Sequence, residues 1–461
     1  MELPFKRGIQ NGAMTLSRRQ ILLSSVAAGF LSRSARAADP GMITLSPQPL
    51  DLEMPVDDFI AEITPVKDFF IRSHALIPTV KLSDWKLTLD GFVDKPLSLS
   101  LDDLKQMPSV ELVSVLECAG NGRAFYKPRV AGAQWRFGSV GCARWTGVRL
   151  RDIFEKVGLK TGATELLLDG ADVPLGKMPD FQRTIPVAKA LHPDTLLAYE
   201  MNGEALTPAH GFPLRLIAPG WAGDSWVKWL QHIEVLDHEF EGFWMKTAYR
   251  HPVRPVAPGT AVDAKDMVPV TDLNVKSVIA KPGDWAKPGR VAVAGVAWSN
   301  ASPVARVEFS ADAGKTWTGA TLTGEATQYG FRKWSYTWAA REGEHTLISR
   351  ATNEKGETQP LEEQWNPSGY LWNVAQARAV LISRKAPATR PVVEETAEAE
   401  KPAGYASTCM SCHDEHMMMQ QRLTRAQWDR EVTKMTNWGA PVGAENRDQL
   451  LDYLSGSFKP K

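Results

Sequence analysis

Hydrophobic and polar positions change rhythm several times along the chain. From about Pro40 to Pro255, short apolar runs such as Val110–Leu116 alternate with helical stretches and frequent Gly and Pro breaks. That alternation predicts a mixed α+β domain. From about Val275 to Leu381 the pattern turns into period-two runs: Val291–Trp298, Ala305–Ser310, Lys333–Trp338 and His345–Arg350. Turn-prone Asp312-Ala313-Gly314 and Asn353-Glu354-Lys355-Gly356 punctuate them, and such crowded short strands predict an immunoglobulin-like β-sandwich. Residues 386–404 are rich in Pro, Ala and Glu without apolar periodicity, so they cannot bury a core and read as a semi-extended linker. The last compact segment includes the helical-looking stretch Trp428–Met435.

Length and composition add little: 461 residues predict two or three domains, and 43% hydrophobic with 23% charged residues is ordinary for globular protein. Net charge is zero, but residues 1–37 hold six basic side chains and one acidic one, leaving the rest at −5. That excludes nucleic acid as the expected partner and favours solubility or a basic partner. Ser17-Arg18-Arg19-Gln20-Ile21-Leu22-Leu23, a short apolar stretch to Phe30 and Ala35-Arg36-Ala37 describe a signal peptide. Its paired arginines resemble the twin-arginine signal that exports folded proteins; a general secretory signal holding two arginines is the alternative. No other segment has the length and apolarity of a membrane span, so a soluble periplasmic protein is expected.

The four cysteines are Cys118, Cys142, Cys409 and Cys412. Two disulfides, 118–142 and 409–412, are the plain reading in an oxidising compartment. Against it, His413 completes Cys409-Met410-Ser411-Cys412-His413, the C-x-x-C-H spacing of a covalent c-type haem. Two thiols then form thioethers and His413 ligates iron; a redox disulfide is the alternative, though no thioredoxin-like pattern surrounds it. Met435 is the candidate sixth ligand, or else a core side chain, since Met417, Met418 and Met419 lie too close to His413. Cys118 follows a strand-like run and precedes Ala119-Gly120-Asn121-Gly122-Arg123, a good setting for a thiolate beside an anion site. Cys142 reads as a buried structural thiol.

Several ordered blocks carry a more specific message. They are Phe69-Phe70-Ile71-Arg72-Ser73-His74, the Cys118 segment, Arg144-Trp145-Thr146-Gly147-Val148, Ala198-Tyr199-Glu200-Met201-Asn202-Gly203, His210-Gly211-Phe212-Pro213-Leu214-Arg215 and Trp226-Val227-Lys228-Trp229-Leu230. In this order the chain resembles the sulfite oxidase family of molybdenum enzymes over most of residues 50–375. The resemblance implies Cys118 as the molybdenum ligand, Arg72 and Arg123 as anion-pocket arginines, and Tyr249 as a hydrogen-bonding residue beside the metal. Phe70, Arg72, His74, Asp172, His210, Arg215, Trp226 and Lys228 would hold the pterin and its phosphate. The implied architecture is multidomain: leader 1–37, α+β molybdopterin-binding catalytic domain 40–255, immunoglobulin-like dimerisation domain 270–384, linker 385–404 and a small all-α cytochrome c domain 405–461.

The expected activity is oxidation of sulfite, or a related sulfur oxyanion, to sulfate. Electrons would leave through one covalent haem c to an external acceptor, such as a soluble c-type cytochrome, from a homodimer. Animal members carry an arginine in a Trp-Asn-Leu-Arg-Gly segment of the anion pocket, where this chain reads Trp365-Asn366-Pro367-Ser368-Gly369. That departure keeps open a sulfane-sulfur dehydrogenase acting on carrier-bound sulfur; the alternative from another class is a non-catalytic electron-transfer haem protein that has lost molybdenum.

Overall fold

The computed structural model describes residues 41–387 and 400–460. The arginine-pair leader 1–37 and residues 388–399 of the linker lie outside the described residues. Among the described residues, no helix is long and apolar enough to cross a membrane.

Two five-stranded sheets organise the first part of the chain. One is antiparallel, in the order Glu204–Ala205, Leu196–Met201, Val140–Arg149, Ser109–Glu117, with Arg215–Ile217 also on Leu196–Met201. The other runs Leu97–Leu99, Leu87–Gly91, Leu230–Leu236, Glu165–Gly170, Arg183–Pro186, and pairs Leu87–Gly91 parallel to Leu230–Leu236. Helix Leu150–Val157 buries Leu150, Ile153, Phe154 and Val157, one apolar stripe, and ends at Gly158 with φ 71°.

Strand Ser109–Glu117 places the first of the candidate residues. Its first residues alternate in exposure, but Ser114–Glu117 are all buried. Val115 joins one apolar core and Leu116 another, so the strand ends deep between them and delivers Cys118 there.

The second part is a β-sandwich. Lys276–Lys281, Gly289–Trp298, Arg332–Ala340 and Thr321–Thr323 form one sheet. Trp285–Ala286, Ala377–Ile382, Gly343–Asn353, Val304–Ser310 and Thr318–Gly319 form the other. Val293, Ala297 and Trp334 meet Val307, Leu347 and Val380 in the core between them. The four runs read as strands are strands, each slightly longer than its apolar pattern.

The C-terminal region consists of helices Tyr405–Cys409, His416–Met419, Arg425–Asn437 and Ala444–Ser457 around its own core, which includes Leu423, Trp428 and Leu454. Thr424 and Gln427 form a capping box that starts the Met435 helix. Its hydrogen bonds to the first part include several between neutral groups. Gln134 N donates to Gln420 Oε1 at 2.7 Å, and Asp414 N to Gln48 O at 2.7 Å. Lys177 N donates to Trp438 O at 2.7 Å, and the Trp438 ring lies against Phe243 and Trp244.

Candidate active site

Past Glu117 the chain makes a tight turn. Cys118 N donates to Ser139 O at 2.9 Å, and Asn121 N donates to Cys118 O at 2.9 Å. Gly122 has φ 92°, and a Cβ there would lie 2.4 Å from the Trp372 ring, so only glycine fits. The turn brings Arg123 back towards the thiol. Burial pushes the Cys118 thiol up to about 11, against the pull of Arg72 and then Arg123. A bound metal cation would supply the charge that holds it as thiolate.

Two cavities meet at Cys118, and both are lined by Arg72, His74, Cys118 and Tyr249. The inner one, of about 70 Å³, is also lined by Phe70, Asp172, His210, Arg215, Trp226 and Lys228. The outer one, of about 340 Å³, is lined by Arg123, Ser368 and Tyr370 on one side. Cys409, Cys412, His413, Met417 and Met435 line its other side. Every candidate residue named from the sequence therefore faces one cavity or the other.

The inner cavity is electrostatically incomplete. Arg215 donates to His210 O at 2.9 Å and Trp226 O at 3.3 Å, while its buried Nε has no partner. Lys228 Nζ donates to Arg72 O at 2.9 Å, Ala209 O at 3.0 Å and Ser73 Oγ at 3.3 Å. Burial pulls Arg215 down to about 9, and burial followed by Arg215 pulls Lys228 down to about 7. Burial also lowers His210 to about 3, so its imidazole is neutral and shares a 2.7 Å hydrogen bond with Thr207. Burial pushes the Asp172 carboxyl up to about 6. Buried Arg215 and half-buried Lys228 are both hydrogen-bonded by neutral oxygens alone, and the cavity they line with Asp172 suits an anion. A phosphorylated cofactor would fit that requirement, held by Arg215 and Lys228 in the cavity that Cys118 also lines.

The outer wall treats its two arginines differently. Arg72 is ion-paired to Asp51 at 3.2 Å, and Asp51 also accepts from Ser73 N at 3.1 Å. Burial works against the Arg72 charge, but Asp51 and Tyr249 more than restore it. Arg123 has no such partner: among the described residues it makes no ion pair. It donates to Ala133 O at 3.1 Å and Ser368 O at 3.5 Å, lies over the Tyr370 ring at 4.9 Å, and leaves its Nε unpartnered. A Cβ at Gly120, Gly132 or Gly369 would come within 2.8, 2.9 or 3.0 Å of its side chain, so the cradle is built of glycines. Tyr249, at φ 52°, shares a 2.7 Å hydrogen bond with His74 Nε2 and stacks on Tyr370 at 5.2 Å.

On the C-terminal side, His413 Nδ1 lies 3.1 Å from Asp414 O, which assigns its proton to Nδ1 and leaves Nε2 free to ligate. No disulfide joins any of the four cysteines, so neither pairing expected in the plain reading forms. Cys142 is buried, its N–H bonded to Thr64 Oγ1, as the structural reading expects. Met417, set aside on sequence grounds, lines the cavity along with Met435.

Sequence reasoning missed Asp51, Tyr370 and the buried Arg183–Asp224 pair, 2.6 Å apart, whose guanidinium lies 5.2 Å from the Tyr249 ring. Tyr370 stands two residues beyond Ser368, a position already singled out. Asp51 and Arg183 belong to no block and become visible only by their partners.

Residues 74–244 match the family described as oxidoreductase molybdopterin binding domain, and residues 267–380 the Mo-co oxidoreductase dimerisation domain. Sulfite oxidase of Gallus gallus is 34% identical over 353 residues, 72% of this chain and 76% of that one. The mitochondrial sulfite oxidase of Homo sapiens is 33% identical over 365 residues, 75% of this chain but only 66% of its own length. Among solved structures, the sulfane dehydrogenase SoxCD from Paracoccus pantotrophus superposes with a TM-score of 0.64 at 27% identity, covering 74% of this chain and 88% of that one. The chain belongs to the sulfite oxidase family and is a molybdenum-dependent, molybdopterin-binding oxidoreductase.

Proposed function

We propose that this chain oxidises sulfite to sulfate and passes the electrons through its own c haem to an external acceptor, such as a soluble c-type cytochrome. Export by the twin-arginine leader, a periplasmic location and a homodimer built on the dimerisation domain belong to the same reading. One observation carries it: Cys118, Arg123 and Tyr249 share a single cavity with Cys409, Cys412 and His413.

Cys118 would hold the molybdenum, and Phe70, Arg72, His74, Asp172, His210, Arg215, Trp226 and Lys228 its pterin and phosphate. When bound, this cofactor supplies a two-electron, oxygen-transferring redox centre. Arg123, which makes no ion pair among the described residues, offers its charge to the sulfur oxyanion. Arg72 is fixed by its ion pair with Asp51 and lines both cavities beside Cys118. Tyr249 presents its hydroxyl from a position locked by His74 and Tyr370. Conversion of sulfite and water to sulfate releases two electrons and two protons.

The outer cavity suits a haem. Trp428, Val432, Leu450 and Leu454 give it apolar walls, Cys409 and Cys412 the thioether positions, and His413 an imidazole with Nε2 free. Met435, which lines the same cavity, would supply the second protein ligand to its iron. A haem there would divide the two-electron oxidation into single steps.

Ser368 favours one second reading, a sulfane dehydrogenase acting on carrier-bound sulfur. It lines the cavity at the position where the family resemblance implies arginine, which leaves the pocket one cation fewer and more room. Anaerobic titration with free sulfite and, separately, with a carrier-bound sulfane separates the two: the substrate that reduces the haem names the activity. Cys118→Ser should abolish reduction by either donor; a variant that is reduced as fast as the parent would make the chain a non-catalytic carrier.

A further inference from the structure

The β-sandwich reaches into the metal-binding turn. Glu117, the residue before Cys118, is 2% exposed, and both of its carboxylate oxygens are used. Oε1 accepts from Lys276 Nζ and from Asn121 Nδ2, the latter at 2.8 Å. Oε2 accepts from Trp298 Nε1 at 2.7 Å. Lys276 and Trp298 both belong to the sandwich, on adjacent strands where they pair directly. Asn121 Oδ1 in turn accepts from Ser139 Oγ at 3.0 Å, and Ser139 O holds the Cys118 N–H. A second tie comes from the same domain: Leu371 N donates to Ala119 O at 2.9 Å, and Asn274 Nδ2 donates to Leu371 O at 2.8 Å.

These contacts leave the Cys118 turn little freedom of its own. A buried carboxylate with one ammonium, one amide and one indole on it has a single favourable arrangement, and removing one partner leaves a charge without solvation. The reach of the sandwich is therefore electrostatic as well as steric, and it ends one residue from the thiol.

We propose that Glu117, Lys276 and Trp298 are positioning residues, through which the sandwich domain sets the direction of the Cys118 thiolate. This rests on the reading of Cys118 as the molybdenum ligand. Lys276→Met removes the ammonium and frees the carboxylate to draw the turn elsewhere. In the full-length, haem-containing enzyme, kcat with sulfite falls about 10-fold while KM stays within about twofold, a misplacement effect. The EPR spectrum of the half-reduced metal shifts with it. In protein produced without the molybdenum cofactor, iodoacetamide labels Cys118 several-fold faster than in the parent, Cys142 being buried and the other two cysteines haem-linked. Glu117→Gln/Lys276→Met, which has no orphan charge, returns all three readouts towards the parent, and Trp298→Phe, which removes only the indole donor, shifts them in the same sense as Lys276→Met and is read in its place if that change does not fold. Parent-like kcat, EPR spectrum and labelling rate in Lys276→Met overturn the proposal. A parent enzyme that carries no Cys118-bound molybdenum overturns the underlying reading instead, and the labelling rate still tests the clamp.

Discussion

Arg123 is buried and, among the described residues, makes no ion pair, which distinguishes it from Arg72, whose charge is paired with Asp51. The expected consequence of Arg123→Met is a sulfite KM raised roughly 10- to 100-fold, the loss of a charge-assisted hydrogen bond. Thermal stability should hold or rise, because no ion pair is broken. Steady-state kinetics and a melting curve check both halves. A different residue controls stability against pH. Glu53 is buried, accepts from Arg136 N at 2.9 Å and Gly138 N at 3.3 Å, and burial pushes its carboxyl up to about 7. A carboxyl raised on folding stabilises fully below its unfolded value and loses that contribution as pH rises through the folded one. The parent should therefore match Glu53→Gln in melting temperature near pH 4.5 and fall below it by pH 8. Equal differences at both pH values would contradict this. At this scale the sequence was most informative where residue types are chemically scarce. Cys118 and the C-x-x-C-H run stood out alone, whereas Asp51 and Arg183 look like any surface charge until their partners are known.

Among the elements, strand Ser109–Glu117 and the turn after it do the positioning. The strand was legible because β-branched and apolar residues fill it; the depth of its end was not, because burial on both faces depends on what packs there. The sandwich strands were legible for the same period-two reason, and their ends ran longer because hydrogen-bonded pairing continues past the apolar pattern. The turn depends on Gly122 at φ 92°, with the Trp372 ring filling the space of a side chain. Gly122→Ala is expected to cost about 1–3 kcal/mol in urea unfolding and to lower molybdenum content. Parent-like unfolding would show that the turn adapts.

For the molecule as a whole, the decisive relation is between the helical C-terminal region and the Cys118 pocket. No sequence pattern announces it, since the contacts among the described residues include backbone groups, glutamine amides and the Trp438 ring. Ion pairs such as Lys401–Glu415, Arg425–Asp448 and Arg447–Asp429 stay inside the helical region. Docking through neutral groups is weakly screened, so the rate of haem reduction by bound substrate should change little between low and high salt. Stopped-flow measurements across ionic strengths check this, and a steep fall with salt would point to charged docking. The central claim is that sulfite oxidised at Cys118-bound molybdenum reduces the haem held by Cys409, Cys412 and His413 in the same chain. Its most direct test is anaerobic addition of sulfite to purified protein of known metal content, at several protein concentrations, while the visible haem spectrum is followed. The account predicts reduction at a rate independent of protein concentration; a haem that stays oxidised with molybdenum stoichiometric, yet is reduced by dithionite, contradicts it.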